Sequence, residues 1–345
     1  MLFKDKIKQI LKDKIVFQNL YGAYQKIKEV QYSLSNLIKR TIESIKYANK
    51  PNYLYIEPIN ICNANCIFCA YQYDKREKKI QSFEGIQSVL KDYVESGGKS
   101  VDLTPFAGEI FINPEIISII KKISSFREIQ HISAYTNASL LHNVDLNELM
   151  QSGLTSLHVS VSPLDKKAYS KIYRSNFYSR VLKNIKNLLI VFGNSKNKTI
   201  KKIEISFRSD RSLKECKELP DYLEYVQPYL SKNVTVTSMS CFDSWSEMIQ
   251  DEDLLPGMKL LHTKLSGKIE PCSRIYNTQI LVDGSIRLCG CRFDNNASED
   301  ELYIGNISSI GLLDAYNSPK AQQIRNSFQE GKLLKICQHC SWYNK

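Results

Sequence analysis

The chain has no apolar run approaching the roughly 18–20 residues that a membrane-spanning helix needs, which excludes a helical integral membrane protein. It opens with no secretory signal pattern, and no low-complexity segment or long internal repeat interrupts it. Ten cysteines in a chain without an export signal point to a reducing compartment, the cytoplasm, where thiols act as metal ligands more often than as disulfides. What is present is a globular composition. The 345 residues are 43% hydrophobic and 24% charged, enough for one large domain with a small one appended. The net charge of +11 comes largely from lysines scattered over helical patterns, which read as solvated faces, so no nucleic-acid partner is expected. Residues 4–14 are denser in lysine, with Phe3, Ile7, Ile10, Leu11 and Val16 near helical spacing. That suits a helix packed on the body of the protein; peripheral membrane contact is the alternative.

Three cysteines fall within eight residues, Cys62-x3-Cys66-x2-Cys69, just after the strand-like run Tyr53-Leu-Tyr-Ile-Glu57. A four-iron cube normally takes four thiolates, so three ligands from one loop leave one iron open to a small molecule. Structural zinc is the competing use, but such sites usually close with a fourth Cys or His at short range, and none lies in this loop.

Residues 1–50 read as a helical extension with an apolar stripe through Leu34, Leu37, Ile38, Ile42 and Ile45. From residue 51 to 242 short apolar strands, at 53–57, 100–104, 130–135, 155–161, 202–207 and 233–239, alternate with helical runs, at 83–95, 114–124, 145–151, 165–191 and 212–229. Six βα repeats imply an α/β fold with a parallel sheet and right-handed crossovers. A polar linker over 243–267 leads to an end region, 268–345. There a hairpin, 279–289, turns on Asp283-Gly284, and a helix is expected near 313–330.

The cysteine loop, with Phe68 directly before its third cysteine, resembles the signature of the radical S-adenosylmethionine (SAM) superfamily. The resemblance implies a partial (β/α)6 TIM-like barrel carrying a [4Fe–4S] cluster on Cys62, Cys66 and Cys69, whose open iron chelates SAM. An electron then cleaves SAM to methionine and a 5′-deoxyadenosyl radical. Further motifs follow in the family's order. Gly108-Glu109 after the second strand is similar to the family's Gly-Gly-Glu motif at the SAM amino group, with Ala107 in place of the first glycine. Thr136-Asn137-Ala138 resembles a Thr-Asn-Gly turn. Ser160 matches a serine near the SAM ribose or carboxylate, and Arg174, in Lys-Ile-Tyr-Arg, resembles an arginine that pairs with that carboxylate. Phe68, Gly108, Glu109, Ser160 and Arg174 are therefore the expected cofactor-binding residues.

The end region resembles a shortened SPASM, or twitch-like, extension, in which Cys272, Cys289, Cys337 and Cys340 would hold one auxiliary [4Fe–4S] cluster. Cys291 is then a spare or a substitute for Cys272. A zinc ribbon on Cys289, Cys291, Cys337 and Cys340 is the alternative.

The implied activity is hydrogen abstraction from an unactivated substrate carbon. Oxidation or epimerisation of a small polar molecule, such as a sugar or aminocyclitol, is the first expectation, since residues 1–50 show no β-rich leader-peptide module. Peptide maturation is the second, and a non-catalytic iron–sulfur or zinc binding protein the third. The substrate is accordingly a small molecule or a peptide, and a flavodoxin- or ferredoxin-type reductase is the expected electron donor. Arg208 and Asp210, ending the fifth strand, are candidate substrate contacts. His158 alternates with apolar neighbours and reads as a barrel-interior residue. Cys216 has the spacing of a buried helix residue, whereas Cys241, after the sixth strand, is placed at the mouth. A thiol there can return a hydrogen atom to a carbon radical, so Cys241 is the candidate catalytic residue of an epimerase.

Overall fold

The computed structural model describes residue 38, residues 41–104, 107–245, 247–261, 272–290 and 300–338, and residue 340. The lysine-dense stretch 4–14 and Cys291 lie outside the described residues. The chain forms two compact units, residues 1–48 and 49–345. In the first, residues 41–46 are helical.

In the second unit six parallel strands run in consecutive order: β1 (Leu54–Ile56), β2 (Ser100–Leu103), β3 (His131–Thr136), β4 (Ser156–Val161), β5 (Lys202–Arg208) and β6 (Val234–Met239). The helices between them are α1 (Gln87–Glu95), α2 (Ile116–Ser124), α3 (Leu146–Met150), α4 (Lys166–Tyr173), α5 (Tyr178–Asn194), α6 (Leu213–Lys217) and α7 (Pro220–Tyr225). Consecutive right-handed crossovers place all the helices on one face of the sheet, as in a barrel and unlike a doubly wound sheet. Among the described residues the sheet does not close: β6 ends it on one side, and the free edge of β1 is taken by β9 (Thr278–Ile280). Beyond β9 lie β10 (Ser285–Leu288) and β11 (Tyr303–Asn306), both antiparallel, so the C-terminal hairpin continues the core sheet. A separate two-stranded pair joins β7 (Cys241–Phe242) to β8 (Lys259–Leu260). The C-terminal helices are α8 (Leu312–Tyr316), α9 (Pro319–Gln329) and α10 (Lys335–Gln338).

Strand alternation explains the two faces. Leu54, Val101, Leu103, Ile132, Ala134, Leu157, Val159, Ile203, Ile205 and Phe207 are at most 1% exposed and form the core under the helices. Their neighbours in the chain form cross-strand rows on the other face: Tyr135 beside His158 beside Glu204, and Ser160 beside Ser206 beside Thr237. A parallel sheet buried on both faces reads as continuous apolar runs. Here one face is polar because it borders a cavity.

The run expected to be one helix over 165–191 breaks into α4 and α5. Arg174 takes a left-handed conformation (φ 48°) that ends α4. No helix among the described residues is long and apolar enough to cross a membrane.

Candidate functional site

A cavity of about 400 Å³ opens at the C-terminal ends of the parallel strands, where loops of such folds gather their chemistry. Cys62, Cys66 and Cys69 line it together with Phe68, Gly108, Glu109, Ser160 and Cys241. The cysteine loop is hooked onto the last turn of α4 by two backbone bonds, Asn65 N–H to Tyr173 O (3.3 Å) and Ile67 N–H to Ile172 O (3.0 Å). Asn63 ties the same loop to the turn after β3, donating to Ser139 Oγ (2.8 Å) and accepting from Asn137 Nδ2 (3.0 Å). Phe68 stacks on Phe242 at 5.1 Å and meets Tyr173 edge-on at 5.8 Å.

Burial pushes the Cys62 thiol up to about 12, and the charges of Glu109 and Cys69 add to the shift. Cys66 is raised by burial and then by Cys69 and Cys62, and Cys69 by burial. Three half-buried thiols that oppose one another's ionisation become thiolates when a positive metal centre supplies the countercharge. Among the described residues no three Cys, His, Asp or Glu side chains are packed tightly enough for a single metal ion. A four-iron cube sets its thiolates farther apart than one ion does, and the three cysteines around one cavity fit that group.

Glu109 is 1% exposed. Its carboxylate accepts from Thr136 Oγ1 (2.6 Å), the Asn137 N–H (2.7 Å) and the Phe111 N–H (3.3 Å). Burial nevertheless outweighs these bonds and pushes the carboxyl up to about 7. An ionised carboxylate has about four acceptor positions, so room remains for a ligand ammonium. Thr136 and Asn137 thus do more than form a turn, a role that only their pairing across strands reveals. Ala138, where the family has glycine, is buried with φ 63°, a conformation that glycine adopts without cost. Ala107 is likewise accommodated, packing with Ala70, Tyr71, Trp245 and Met248.

Ser160 lines the cavity with its hydroxyl 3.1 Å from Tyr173 Oη. Arg174 does not join it. Its side chain is exposed, donates to Gln72 Oε1 at 2.9 Å and borders a separate surface depression with Asn63 and Phe177. Arg208 lines the main cavity in its place. His158 stands on the polar face, stacked on Tyr135 at 4.4 Å, with Nδ1 3.5 Å from Glu204. Cys216 is fully buried, whereas Cys241 is exposed to the cavity. Trp245 was not singled out from the sequence; its Nε1–H donates to Phe68 O at 3.1 Å and closes one side.

The C-terminal cysteines gather at the other end of β9 and β10. Burial pushes Cys272 up to about 12, with Cys289 and Cys340 adding to the shift. Cys289, Cys337 and Cys340 are buried, and the Cys340 N–H donates to Cys337 O at 3.2 Å. Cys289 is held in a left-handed conformation (φ 66°), a strained state for a residue with a side chain. Arg287, fully buried, secures this corner by a two-pronged pair with Asp300 (2.7 and 3.1 Å) and a bond to Cys289 O. Gly290, next in the chain, reaches the main cavity, where a Cβ would press the Tyr55 ring at 3.2 Å.

These features agree with comparison to known proteins. Residues 56–199 match the model of the radical SAM superfamily, and residues 268–341 that of the SPASM iron–sulfur cluster-binding domain. The chain thus carries a radical SAM domain and, C-terminal to it, a SPASM domain. The first domain implies a [4Fe–4S] cluster with SAM and the second an auxiliary iron–sulfur cluster.

Among curated relatives, the GTP 3′,8-cyclase of Alkaliphilus metalliredigens is 30% identical over 141 residues, 40% of this chain and 43% of the cyclase. A probable GTP 3′,8-cyclase of Methanocaldococcus jannaschii is 27% identical over 181 residues, 52% and 56% of the two chains. The chain spans about half the length of the curated relatives it matches. Among solved structures, BtrN in complex with AdoMet and 2-DOIA shares the fold with a TM-score of 0.50 at 14% identity, over 84% of this chain and 92% of BtrN. Streptococcus suis SuiB bound to its precursor peptide SuiA gives 0.51 at 19%, over 91% and 75%.

Proposed function

We propose that the protein is a radical SAM oxidoreductase or epimerase acting on a small polar molecule. The observation that carries this reading is the single cavity shared by the three-cysteine loop, Glu109, Ser160 and the exposed thiol of Cys241. When bound, the cluster and SAM supply a 5′-deoxyadenosyl radical able to take a hydrogen atom from carbon. The residues do the rest. Glu109 accepts the SAM ammonium, Gly108 allows close backbone approach, and Ser160 bonds the ribose or carboxylate. Phe68, stacked on Phe242 and edge-on to Tyr173, keeps water from the thiols. In an epimerase the Cys241 S–H bond would break to give its hydrogen atom to the substrate radical, and one electron from the reductase with a proton from water would restore the thiol. For an oxidation, Cys272, Cys289, Cys337 and Cys340 would hold the auxiliary cluster, which would supply an acceptor for the second electron. A flavodoxin- or ferredoxin-type reductase in the cytoplasm would supply the first electron. The names of the cyclase relatives support a second reading, radical bond formation on a phosphorylated substrate.

Anaerobic reconstitution with iron and sulfide, then incubation with SAM and dithionite, tests the reading. Formation of 5′-deoxyadenosine supports it. Intact SAM, with iron bound, would leave an iron–sulfur binding protein.

A further inference from the structure

We propose that Arg208 anchors an oxyanion of the substrate, a carboxylate or phosphate, against the wall of the cavity that holds Cys241. The inference rests on the radical SAM reading of that cavity and narrows its substrate class.

Arg208 ends β5 on the polar face, in register with Met239 of β6. Among the described residues it is the one cation lining the cavity. The acids around it are already engaged, including Asp243 of the cavity lining, which accepts from the Trp245 backbone N–H at 2.6 Å. Glu204 is met by Lys202 (3.3 Å), His158 (3.5 Å) and the Thr237 hydroxyl (3.0 Å). Asp102 accepts from Thr104 and from Ser133 (2.7 Å). Asp210 is gripped by Arg211 at 2.8 and 3.1 Å. Glu109 is turned toward Thr136 and Asn137.

Arg208 itself hydrogen-bonds only neutral groups among the described residues, although its charge also favours ionisation of Cys66. Its Nη1 donates to Ser206 Oγ at 2.8 Å and lies 3.8 Å from Met239 Sδ. A half-buried guanidinium without a carboxylate presents its remaining N–H edge to the cavity. That planar edge matches a carboxylate or phosphate, which it binds through two parallel hydrogen bonds. Met239 leads through Ser240 to Cys241, so an anion held on Arg208 places the attached carbon skeleton between the cysteine loop and the Cys241 thiol. An anionic sugar derivative or hydroxy acid fits this charge; a cationic aminocyclitol does not.

The test uses the reconstituted holoenzyme saturated with SAM, titrated with inorganic phosphate or acetate and followed by calorimetry. At least one of these oxyanions should bind saturably to the wild type. Binding should weaken about tenfold or more in Arg208→Gln and survive largely in Arg208→Lys, with iron content and SAM affinity equal in all three. Three results would overturn the proposal: neither oxyanion binds the wild type, Arg208→Gln binds them as the wild type does, or Arg208→Gln loses SAM affinity in parallel. The last would assign the guanidinium to the SAM carboxylate. Absence of 5′-deoxyadenosine from the wild type with SAM and dithionite is a separate failure, that of the radical SAM reading, and is scored without either oxyanion.

Discussion

One carboxylate oxygen of Glu57 accepts a 3.0 Å hydrogen bond from the backbone N–H of Val282, 225 residues away in the chain. Both oxygens also receive Arg76, at 2.9 Å each, and Arg76 reaches on to Asp74 just beyond the cysteine loop. A fully buried acid at the end of β1 thus fastens the segment after Cys69 to the hairpin that carries Cys289.

Removing that acid should be costly, because it takes two charge-assisted bonds from Arg76 and leaves the Val282 N–H without its acceptor. Glu57→Ala should lower stability by about 3 kcal/mol, the lower end for breaking a buried pair. Urea unfolding checks this. A loss below about 1 kcal/mol, typical of an exposed pair, would mean that the network holds nothing together.

The pH dependence of the ligand-free protein should carry the mark of Glu109. Its folded-state value of about 7 lies above the ordinary 4.5, and burial is the main cause. The folded state therefore favours the protonated carboxyl. The stability it contributes is complete below about pH 4.5 and is lost as the pH rises through about 7. The shift corresponds to stability on the order of 3 kcal/mol. Glu109→Gln should remove that slope between pH 4.5 and 7, measured as the difference between wild-type and variant unfolding curves. Parallel curves would show that the carboxyl is ionised throughout.

Iron content separates the two cysteine sites. The reconstituted wild type should hold about eight irons per chain, two four-iron cubes. The triple variant Cys62→Ala, Cys66→Ala, Cys69→Ala should keep about four and form no 5′-deoxyadenosine. Four irons and one zinc in the wild type would instead establish a zinc ribbon at the C-terminal cysteines.

Cys241 decides between fates of the substrate radical once a substrate is known. If the thiol returns the hydrogen atom, product formed in deuterium oxide should carry deuterium at the abstracted carbon, and Cys241→Ala should stall. Normal turnover of Cys241→Ala without solvent deuterium in product would assign the second electron to the auxiliary site.

Local pattern alone determined much of this protein. Each of the six parallel strands lies at its expected place, because apolar alternation between helical runs is a property of adjacent residues. The three-cysteine loop and the Asp283-Gly284 hairpin are equally local, and both were legible in the sequence. The tertiary structure decided what depends on distant partners. β9 completes the edge of β1, the turn after β3 supplies the bonds to Glu109, and Gly290 reaches the cavity from the auxiliary region. It also exchanged the two arginines. Arg174 is turned outward because a left-handed residue ends α4 there, whereas Arg208 faces the cavity because strand alternation and the register with β6 put it on the polar face. Spacing along a chain says which residues share a face; only the pairing of strands says what that face looks at.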